Sequence, residues 1–85
     1  MTVEYSDEAK KQLKKLDKYV AGEIKSYMDG IKKLKDPRTR GRELTSNLSG
    51  LWRYRVGDYR LICEIKDEKM MILVLVIGHR KEIYR

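Results

Sequence analysis

The stretch LWRYRVGDYRLI, residues 51–62, alternates apolar with polar side chains on both sides of a central Gly57-Asp58 pair. Alternation with a period of two is typical of strands that have one buried face. Two such segments separated by a glycine and an aspartate favour a two-residue hairpin turn. The stretch therefore predicts a β-hairpin, around which the rest of the chain can be interpreted.

The turn also predicts how the two strands pair, because a period of two assigns every side chain to one face. Arg55 is expected opposite Arg60, and Arg53 opposite Ile62, on a face that also carries Glu64. The other face is expected to form the floor on which the rest of the protein packs, and it consists of Trp52, Tyr54, Val56, Tyr59, Leu61, Cys63 and Ile65.

Like charges directly opposite on neighbouring strands destabilise a sheet by about 0.2 to 1 kcal/mol. Arg55 opposite Arg60 is therefore unfavourable unless the guanidinium groups turn into solvent, are neutralised by acids such as Glu64, or bind an anion. Three arginines on one half of the hairpin, with a fourth at Arg80, favour the anion site, since a guanidinium fork binds phosphate in a bidentate way.

Upstream of the hairpin, residues 2–5 alternate and predict a short strand, and two amphipathic helices follow it. Ser6 is the predicted N-cap of the first helix and Asp17 of the second, which Asp36 and Pro37 end. Apolar residues recur at helical spacing, with Ala9, Leu13 and Leu16 in the first helix and Val20, Ile24, Tyr27, Met28, Ile31 and Leu34 in the second. A helical hairpin of this kind must pack its apolar stripes on a sheet.

Residues 37–50 are interpreted as an ordered polar loop, and strands are predicted at 51–56, 59–65 and 70–78. A polar turn at 66–69 is expected to place Ile65 opposite Met70 and Glu64 opposite Met71. Continuing this register along the last strand puts four of its residues on the side of the arginines, namely Leu73, Leu75, Ile77 and His79.

The order of these elements predicts an α+β fold in a single domain that covers residues 1–85. An N-terminal strand joins a three-stranded antiparallel meander to give a four-stranded, mostly antiparallel sheet, and the helical hairpin packs against it. A chain of 85 residues is near the lower end of what folds around one core, which excludes a multi-domain protein.

The chain carries 20 lysines and arginines against 13 acidic residues, a net charge of +7 at pH 7. This balance indicates a polyanionic partner, which is nucleic acid, an acidic protein or an anionic membrane. The single cysteine, Cys63, excludes an intramolecular disulfide and a cysteine-based metal site. No signal-peptide core is present, and the longest apolar run, 70–77, is too short to cross a bilayer. A cytoplasmic protein with no cofactor, no metal and no membrane partner is expected.

The sequence VIGHRKEIYR at 76–85 follows the final strand with a histidine, an arginine and a tyrosine. Together with GDYRLI at 57–62, this ending resembles the RelE family of bacterial toxins, in the RelE/ParE superfamily, and the similarity runs the length of the chain. The resemblance implies a RelE-like fold and a ribosome-dependent endoribonuclease that cuts messenger RNA in the A site without a metal. It also implies two partners, a cognate antitoxin protein and the ribosome with its bound message.

In such an enzyme a ribose 2′-hydroxyl attacks the adjacent phosphate, so the protein must remove a proton, offset charge on the phosphorane and protonate the leaving oxygen. By their positions in the family, Arg55 and Arg60 are assigned to the charge of the transition state and Arg80 to the leaving group or the scissile phosphate. Tyr84 matches the family's C-terminal tyrosine, and is assigned to stacking on a base or orienting the nucleophile. Arg53 matches a basic position on the first strand of the hairpin.

The proton acceptor is where this chain departs from the family, because Arg55 stands where some relatives place a proposed lysine base. An arginine, with a reference pKa above about 12, is a poor acceptor. His79 is the substitute that titrates near neutrality, although a histidine at a strand end is more often structural. Glu64 is the fallback base, and a salt-bridge partner in the alternative interpretation.

Further basic residues are expected to contact RNA or its phosphates, although loops of this kind are routinely polar without binding anything. They are Arg53, Arg38, Arg40, Arg42 and Lys81.

Two other functions stay open. A ParE-like toxin would inhibit DNA gyrase by binding, and would not need the arginines together with His79 and Tyr84. A catalytically inactive member would bind only RNA or its antitoxin, and the sequence does not separate such a protein from an enzyme.

Overall fold

The structure is a computed structural model that describes residues 1–82 of the 85, so Tyr84 lies outside the described residues. The elements are strand β1 Thr2–Tyr5, helix α1 Asp7–Lys15, helix α2 Lys18–Lys32, and strands β2 Arg42–Glu43, β3 Trp52–Val56, β4 Tyr59–Lys66 and β5 Met71–His79. Short 3-10 turns occupy Pro37–Thr39, Ser46–Leu48 and Asp67–Lys69. Within residues 1–82, neither helix has the length and apolar character that crossing a bilayer requires.

The strands form one mixed sheet in the order β1-β5-β4-β3-β2. Strand β1 runs parallel to β5, and the other neighbouring strands are antiparallel. The predicted α+β fold is confirmed, with a fifth strand added to the expected four in the described part of the chain. The added strand is β2, whose two residues, Arg42 and Glu43, are too few to produce an alternating pattern.

Both helices begin where their capping residues predict. Ser6 Oγ accepts a hydrogen bond from Ala9 N at 3.0 Å and donates one to Leu75 O at 2.7 Å. Asp17 Oδ1 accepts a hydrogen bond from Tyr19 N at 2.8 Å. Each cap satisfies a backbone donor that the first turn of a helix leaves without an intrahelical partner. Ser6 also fixes the start of α1 to strand β5.

The two helices pack on the same face of the sheet, and the core lies between them and the strands. The buried core consists of Ala9, Leu13, Ile24, Met28 and Ile31 from the helices and Tyr54, Leu61, Cys63, Ile72, Val74 and Ile77 from the strands. Trp52, Val56, Tyr59 and Ile65 are half-buried and pack against this cluster. The predicted inner face of the hairpin is therefore confirmed.

The predicted pairing of β3 with β4 is also confirmed. Arg55 lies opposite Arg60, and Arg53 lies opposite Ile62. Gly57 has a φ of 58°, the left-handed conformation that a tight hairpin turn requires and that glycine adopts without strain. The arginines of the hairpin consequently lie on the face of the sheet turned away from the helices.

The expected start of the pairing between β4 and β5 is wrong. Ile65 pairs with Ile72, and Glu64 pairs with Leu73, two residues beyond the expected partners. The turn still has four residues but begins one residue later than expected, because Lys66 remains in β4 and pairs with Met71. Its last residue is Met70, whose φ of 49° is left-handed. Leu73 still lies on the side of the arginines, because a register shift of two residues keeps each side chain on the same face of the sheet.

A β-bulge then turns the side chains at the end of β5 to the opposite face of the sheet. The register shifts between Ile62 and Cys63, where β5 holds one extra residue, Leu75. An extra residue sends every side chain after it to the other face. Ile77 consequently lies in the core at 3% exposure, and His79 lies on the side of the helices. The expected position of these two residues beside the arginines is wrong.

Candidate functional site

Four arginines share the face of the sheet that is turned away from the helices, and we refer to them as the arginine face. Arg55 pairs with Arg60 across β3 and β4, and Arg42 pairs with Arg53 across β2 and β3. Paired residues of an antiparallel sheet lie about 5 Å apart at Cα and point to the same side. Since Arg53 and Arg55 are separated by one residue, the two pairs form neighbouring rows. The structure thus brings these four predicted site residues together.

Arg60 is the most enclosed member of the arginine face, at 9% exposure. Its Nη1 donates to the carbonyl oxygens of Gly57 and Tyr59, both at 3.2 Å, which holds the side chain against the hairpin turn. Arg55, directly opposite, is exposed to solvent. One guanidinium group is thus oriented by the fold while its neighbour extends into solvent, an arrangement that offers an anion two cationic contacts.

Arg80 lies beside the same turn. Its backbone N–H donates to Asp58 O at 2.7 Å, and its Nε lies 3.8 Å from Asp58 Oδ1. The two side chains are 56% and 65% exposed, and an exposed ion pair contributes roughly 0 to 1 kcal/mol. The contact therefore leaves the Arg80 guanidinium available to a stronger anion, and Arg80 adjoins the turn end of the arginine face.

Arg38 lies away from the arginine face. Its Nη1 and Nη2 donate to Asp67 Oδ1 at 3.0 Å and Oδ2 at 2.9 Å, and Asp67 belongs to the turn between β4 and β5, at the other end of the sheet from Gly57. These hydrogen bonds hold the pKa of Asp67 below its usual range and raise the pKa of Arg38. Arg38 therefore fastens the loop to the sheet, and its contact with RNA stays a prediction.

Two other predicted RNA contacts, Arg40 and Lys81, are exposed. The Arg40 carbonyl oxygen accepts a hydrogen bond from Trp52 Nε1 at 2.7 Å, and the Lys81 backbone N–H donates to His79 Nδ1 at 3.2 Å. Their contacts with RNA, like the catalytic role of Tyr84 outside the described residues, stay predictions.

The sheet separates His79 from the arginine face. The His79 ring packs edge-on against Tyr59, with ring centroids 5.6 Å apart at an interplanar angle of 85°. Gln12 and Lys15 of α1 line the groove beside these rings. Because Nδ1 accepts a hydrogen bond from Lys81, Nε2 carries the proton in the neutral ring. The structure does not bring the predicted base to the four arginines.

Glu64, the fallback base, lies on the arginine face as expected, opposite Leu73. It lies four positions along β4 from Arg60, a distance of about 13 Å at 3.3 Å per residue. Glu64 is therefore not beside the pair of Arg55 and Arg60, and its role stays a prediction.

A cleft at the edge of the sheet was not foreseen from the sequence, and we refer to it as the edge cleft. It has a volume of about 460 Å³ and is lined by Tyr27, Gly41, Arg42, Arg53 and Arg55. Tyr27 fits the apolar stripe of α2 and does pack against the core, so helical periodicity gives no sign that it also reaches a cleft. The sequence feature that could indicate the cleft is Gly41, which stands between two arginines at 40 and 42.

Gly41 is required where the loop passes close to β3. Its φ is 80°, and a Cβ built on it would lie 2.6 Å from Trp52 Nε1 and 2.9 Å from Tyr54 Cδ1. The same Cβ would collide with the carbonyl oxygen of Arg53. Only glycine allows both this backbone conformation and this close approach, and the approach places Arg42 beside Arg53.

In residues 1–82, no group of three His, Cys, Asp or Glu side chains is arranged to hold a metal ion. Cys63 is a buried free thiol, and burial raises its pKa to about 12. A buried thiol that stays protonated is a poor nucleophile. The arginine face itself offers the binding of anions and the stabilisation of negative charge, because guanidinium groups are permanent cations.

Comparison with known proteins agrees with this fold. A family model described as ParE toxin of type II toxin-antitoxin system, parDE, matches residues 3–84. Toxin RelG of Mycobacterium tuberculosis (strain ATCC 25618 / H37Rv) is 31% identical over 84 residues, which are 99% of this chain and 95% of that protein. A chain of the toxin-antitoxin complex RelBE2 from Mycobacterium tuberculosis has a TM-score of 0.84 at 28% identity, over 95% of this chain and 92% of that chain. A chain of the archaeal RelE-RelB complex from Pyrococcus horikoshii OT3 has a TM-score of 0.73 at 26% identity, over 95% and 96% of the two chains.

Proposed function

The chain belongs to the family of ParE toxins of type II toxin-antitoxin systems, within the RelE/ParE superfamily, and from this premise we propose that it is a ribosome-dependent endoribonuclease that cleaves messenger RNA. One observation carries the proposal, the pairing of Arg55 with Arg60 beside the pairing of Arg42 with Arg53. Like charges held opposite one another weaken a sheet, and a bound phosphodiester chain would replace this repulsion with attraction.

In the proposed reaction a ribose 2′-hydroxyl loses its proton and attacks the adjacent phosphorus, which forms a 2′,3′-cyclic phosphate. The bond from phosphorus to the 5′-oxygen of the next nucleotide breaks, and that oxygen takes up a proton as it leaves. The phosphorane carries more negative charge than the ground-state diester, and we assign its stabilisation to Arg55 and Arg60. Arg80, beside the turn, is assigned to the leaving oxygen or the scissile phosphate. In other enzymes, removing one preorganised donor of this kind costs about 2.7 to 4 kcal/mol of transition-state stabilisation.

The proposal does not give His79 the proton-transfer step, because its ring packs against Tyr59 on the side of the helices. This revises the role expected from the sequence, and the pH profile of a His79 variant tests it. Tyr84 keeps its proposed role of stacking on a base or orienting the nucleophile.

Inhibition of DNA gyrase by binding is the second candidate function, and the match of residues 3–84 to a family described as ParE toxin favours it. Such a toxin needs a surface complementary to gyrase and performs no RNA chemistry. The paired arginines favour the nuclease, because two rows of guanidinium groups on one face suit a phosphate backbone.

We also propose a cognate antitoxin as the partner, by analogy with the toxin-antitoxin complexes that share the fold. The supporting surface is a groove of about 690 Å³ between α1 and α2. Its floor contains Leu13, Leu16 and Ala21, and its rim consists of Lys10, Lys14, Lys18 and Lys25. An acidic amphipathic segment fits such a groove, with apolar side chains on the floor and carboxylates at the rim. A Lys14→Glu/Lys18→Glu variant should stay toxic when the antitoxin is coexpressed, and continued neutralisation would exclude this surface.

Primer extension on a translated message separates the two candidate functions. With the wild-type chain we expect new 5′ ends within the message, and with Arg60→Ala or Arg80→Ala we expect their loss. The matched control is Lys69→Gln, which removes one positive charge from the turn at the other end of the sheet. An intact message together with inhibited supercoiling by purified gyrase would overturn the nuclease. Efficient cleavage of RNA without ribosomes would overturn the dependence on the ribosome.

A further inference from the structure

The edge cleft lies where the edge of the sheet is open. In the described residues, the ladder between β2 and β3 ends at the pair of Arg42 and Arg53, whereas β3 continues to Val56. The Arg53 carbonyl oxygen faces the loop, since a Cβ on Gly41 would collide with it. The backbone groups of a strand in an antiparallel sheet alternate in direction with a period of two, so the N–H and C=O of Arg55 face the same edge. The cleft therefore offers main-chain hydrogen-bonding groups as well as side chains.

The side chains that line the edge cleft combine positive charge with an aromatic ring. Arg42 and Arg55 are exposed, and Arg53 and Tyr27 are half-buried. A volume of about 460 Å³ is in the range of sites that hold a small ligand. Guanidinium groups bind phosphate, and an aromatic ring stacks on a base, so the two features together match the two halves of a nucleotide.

The Tyr27 ring is held in position by the core. Its centroid lies 6.1 Å from that of Tyr54 at an interplanar angle of 62°, an edge-to-face contact. Tyr54 is itself fully buried, and its hydroxyl donates to Pro37 O at 2.7 Å. A ring that is already oriented loses little entropy when a base stacks on it.

Arg42 is likewise positioned by contacts upstream of it and at its own position. Upstream, Trp52 Nε1 donates to Arg40 O, and Arg38 is bound in a bidentate way to Asp67. At Arg42 itself, the short strand β2 pairs with β3. The loop thus presents its arginine to the cleft from a fixed backbone, as a preformed binding site requires.

From these relationships we propose that the edge cleft binds one nucleotide of single-stranded RNA, with its phosphate on Arg42 and its base against the ring of Tyr27. The choice of RNA as the polyanion rests on the proposed function. Because Arg55 belongs both to the cleft and to the pair with Arg60, the nucleotide in the cleft lies next to the scissile phosphate. An acidic protein segment, the alternative occupant, would use the guanidinium groups without needing the aromatic ring.

Direct binding without ribosomes tests the proposal, measured by fluorescence anisotropy of labelled hexauridylate and hexaadenylate. Tyr27→Leu keeps an apolar side chain and removes the aromatic face, and we expect it to raise the Kd about 5- to 150-fold, the range for one stacked base. Arg42→Gln should weaken binding to both oligonucleotides and reduce the slope of log K against log salt concentration by about 0.7.

Three variants serve as controls, and all should bind with the wild-type Kd. Tyr27→Phe keeps the ring, and Tyr19→Leu makes the same exchange on the same helix at a position that is 75% exposed. Lys69→Gln removes a charge outside the cleft. An unchanged Kd in Tyr27→Leu would overturn the proposal. If Tyr27→Leu does not fold, proton NMR of the wild-type protein replaces this test, because a base stacked on Tyr27 shifts the protons of its ring upfield. Unshifted protons at saturating hexauridylate would equally overturn it.

The binding test of the edge cleft and the cleavage test of the nuclease can give different results. An intact message in primer extension, combined with RNA binding that depends on Tyr27, would overturn the nuclease and retain the cleft. Cleavage by the wild-type protein, with the same Kd in Tyr27→Leu, would overturn the cleft alone. Tighter binding of a polyglutamate peptide than of either oligonucleotide, unaffected by Tyr27→Leu, would assign the cleft to an acidic protein instead.

Discussion

Arg55 and Arg60 occupy directly opposed positions on β3 and β4, with the Arg60 guanidinium held by the carbonyl oxygens of the turn and Arg55 exposed opposite it. Two positive charges in this arrangement oppose folding. The pairing suits the proposed binding of a phosphate, because an anion between the two side chains would make attractive contacts with both guanidinium groups.

Arg55→Gln should separate stability from activity. Removing one of the two opposed charges should raise the free energy of unfolding by about 0.2 to 1 kcal/mol, while ribosome-dependent cleavage falls at least tenfold. Urea titrations and primer extension measure the two effects on the same preparation. Lys69→Gln should change neither, and an Arg55→Gln protein with full cleavage would remove this residue from the site.

His79→Gln should leave the pH dependence of cleavage unchanged, since the His79 ring lies against Tyr59 on the helix side of the sheet. Glutamine can still accept the hydrogen bond that Lys81 N donates, so the end of β5 is preserved. Initial rates between about pH 5 and pH 8, where a histidine titrates, provide the measurement. A profile that becomes flat in the variant would restore His79 as the acid or base.

Tyr54→Phe should destabilise the protein by roughly 0.5 to 1.5 kcal/mol, because Pro37 O loses the hydrogen bond that the buried hydroxyl donates. Amide hydrogen exchange in residues 38–43 should become faster, since this contact holds the loop on the sheet. Tyr19→Phe removes an exposed hydroxyl and is the matched control. Equal free energies of unfolding for Tyr54→Phe and the wild type would show that the loop is held by its other contacts.

Gly41→Ala should have a larger effect than Tyr54→Phe. Alanine at a φ of 80° is strained, and its Cβ would collide with the β3 backbone, so we expect a loss of about 1 to 3 kcal/mol. RNA binding should weaken as well, because the loop that carries Arg42 must move away from Arg53. Gly22→Ala is the control, since a Cβ on that helical glycine meets nothing within 4 Å. RNA binding by Gly41→Ala at the wild-type Kd would contradict this account of the loop.

The protein should lose stability in alkaline solution. Burial raises the pKa of Cys63 from 9.0 to about 12, and burial together with Asp29 and Cys63 raises that of Tyr5 from 10.0 to about 12. Between about pH 9 and pH 12 the unfolded chain therefore binds fewer protons than the folded protein, and the free energy of unfolding falls as pH rises. Below about pH 9 both groups are protonated in both states and have no such effect.

Cys63→Ala isolates the thiol contribution. The variant should be less stable than the wild type near pH 7, because a buried side chain is truncated. Its free energy of unfolding should fall less between about pH 9 and pH 10, since no thiol ionises in its unfolded state. Urea midpoints across this range measure the difference. Parallel pH curves for the two proteins would contradict the raised pKa of Cys63.

The parts of the fold that depend on neighbouring residues could be predicted from the sequence. The bounds of β1, the two helix caps and the register of the hairpin follow from alternation, capping chemistry and a glycine turn. The side of the sheet on which His79 lies could not be predicted, because it depends on Leu75 being one extra residue in β5. The run MMILVLVIG is apolar throughout, and such a run contains no polar residue that would mark where the alternation breaks.

The arrangement of the candidate site can be predicted from the sequence to a similar extent. Its arginines on β3 and β4 follow from the hairpin register, whereas the role of the loop depends on contacts between distant residues. Arg38 is 29 residues from Asp67, and Pro37 is 17 residues from Tyr54. Neither contact leaves a periodic pattern in the sequence, which therefore indicates neither the binding of Arg38 to Asp67 nor the edge cleft.

The hydrogen bond from Ser6 to Leu75 spans 69 residues, and β1 pairs only with β5 in the described sheet. During synthesis, the first strand therefore has no partner until the last strand has left the ribosomal tunnel. A nascent chain that stalls before that moment leaves β1 and the start of α1 without the strand that holds them in the folded protein.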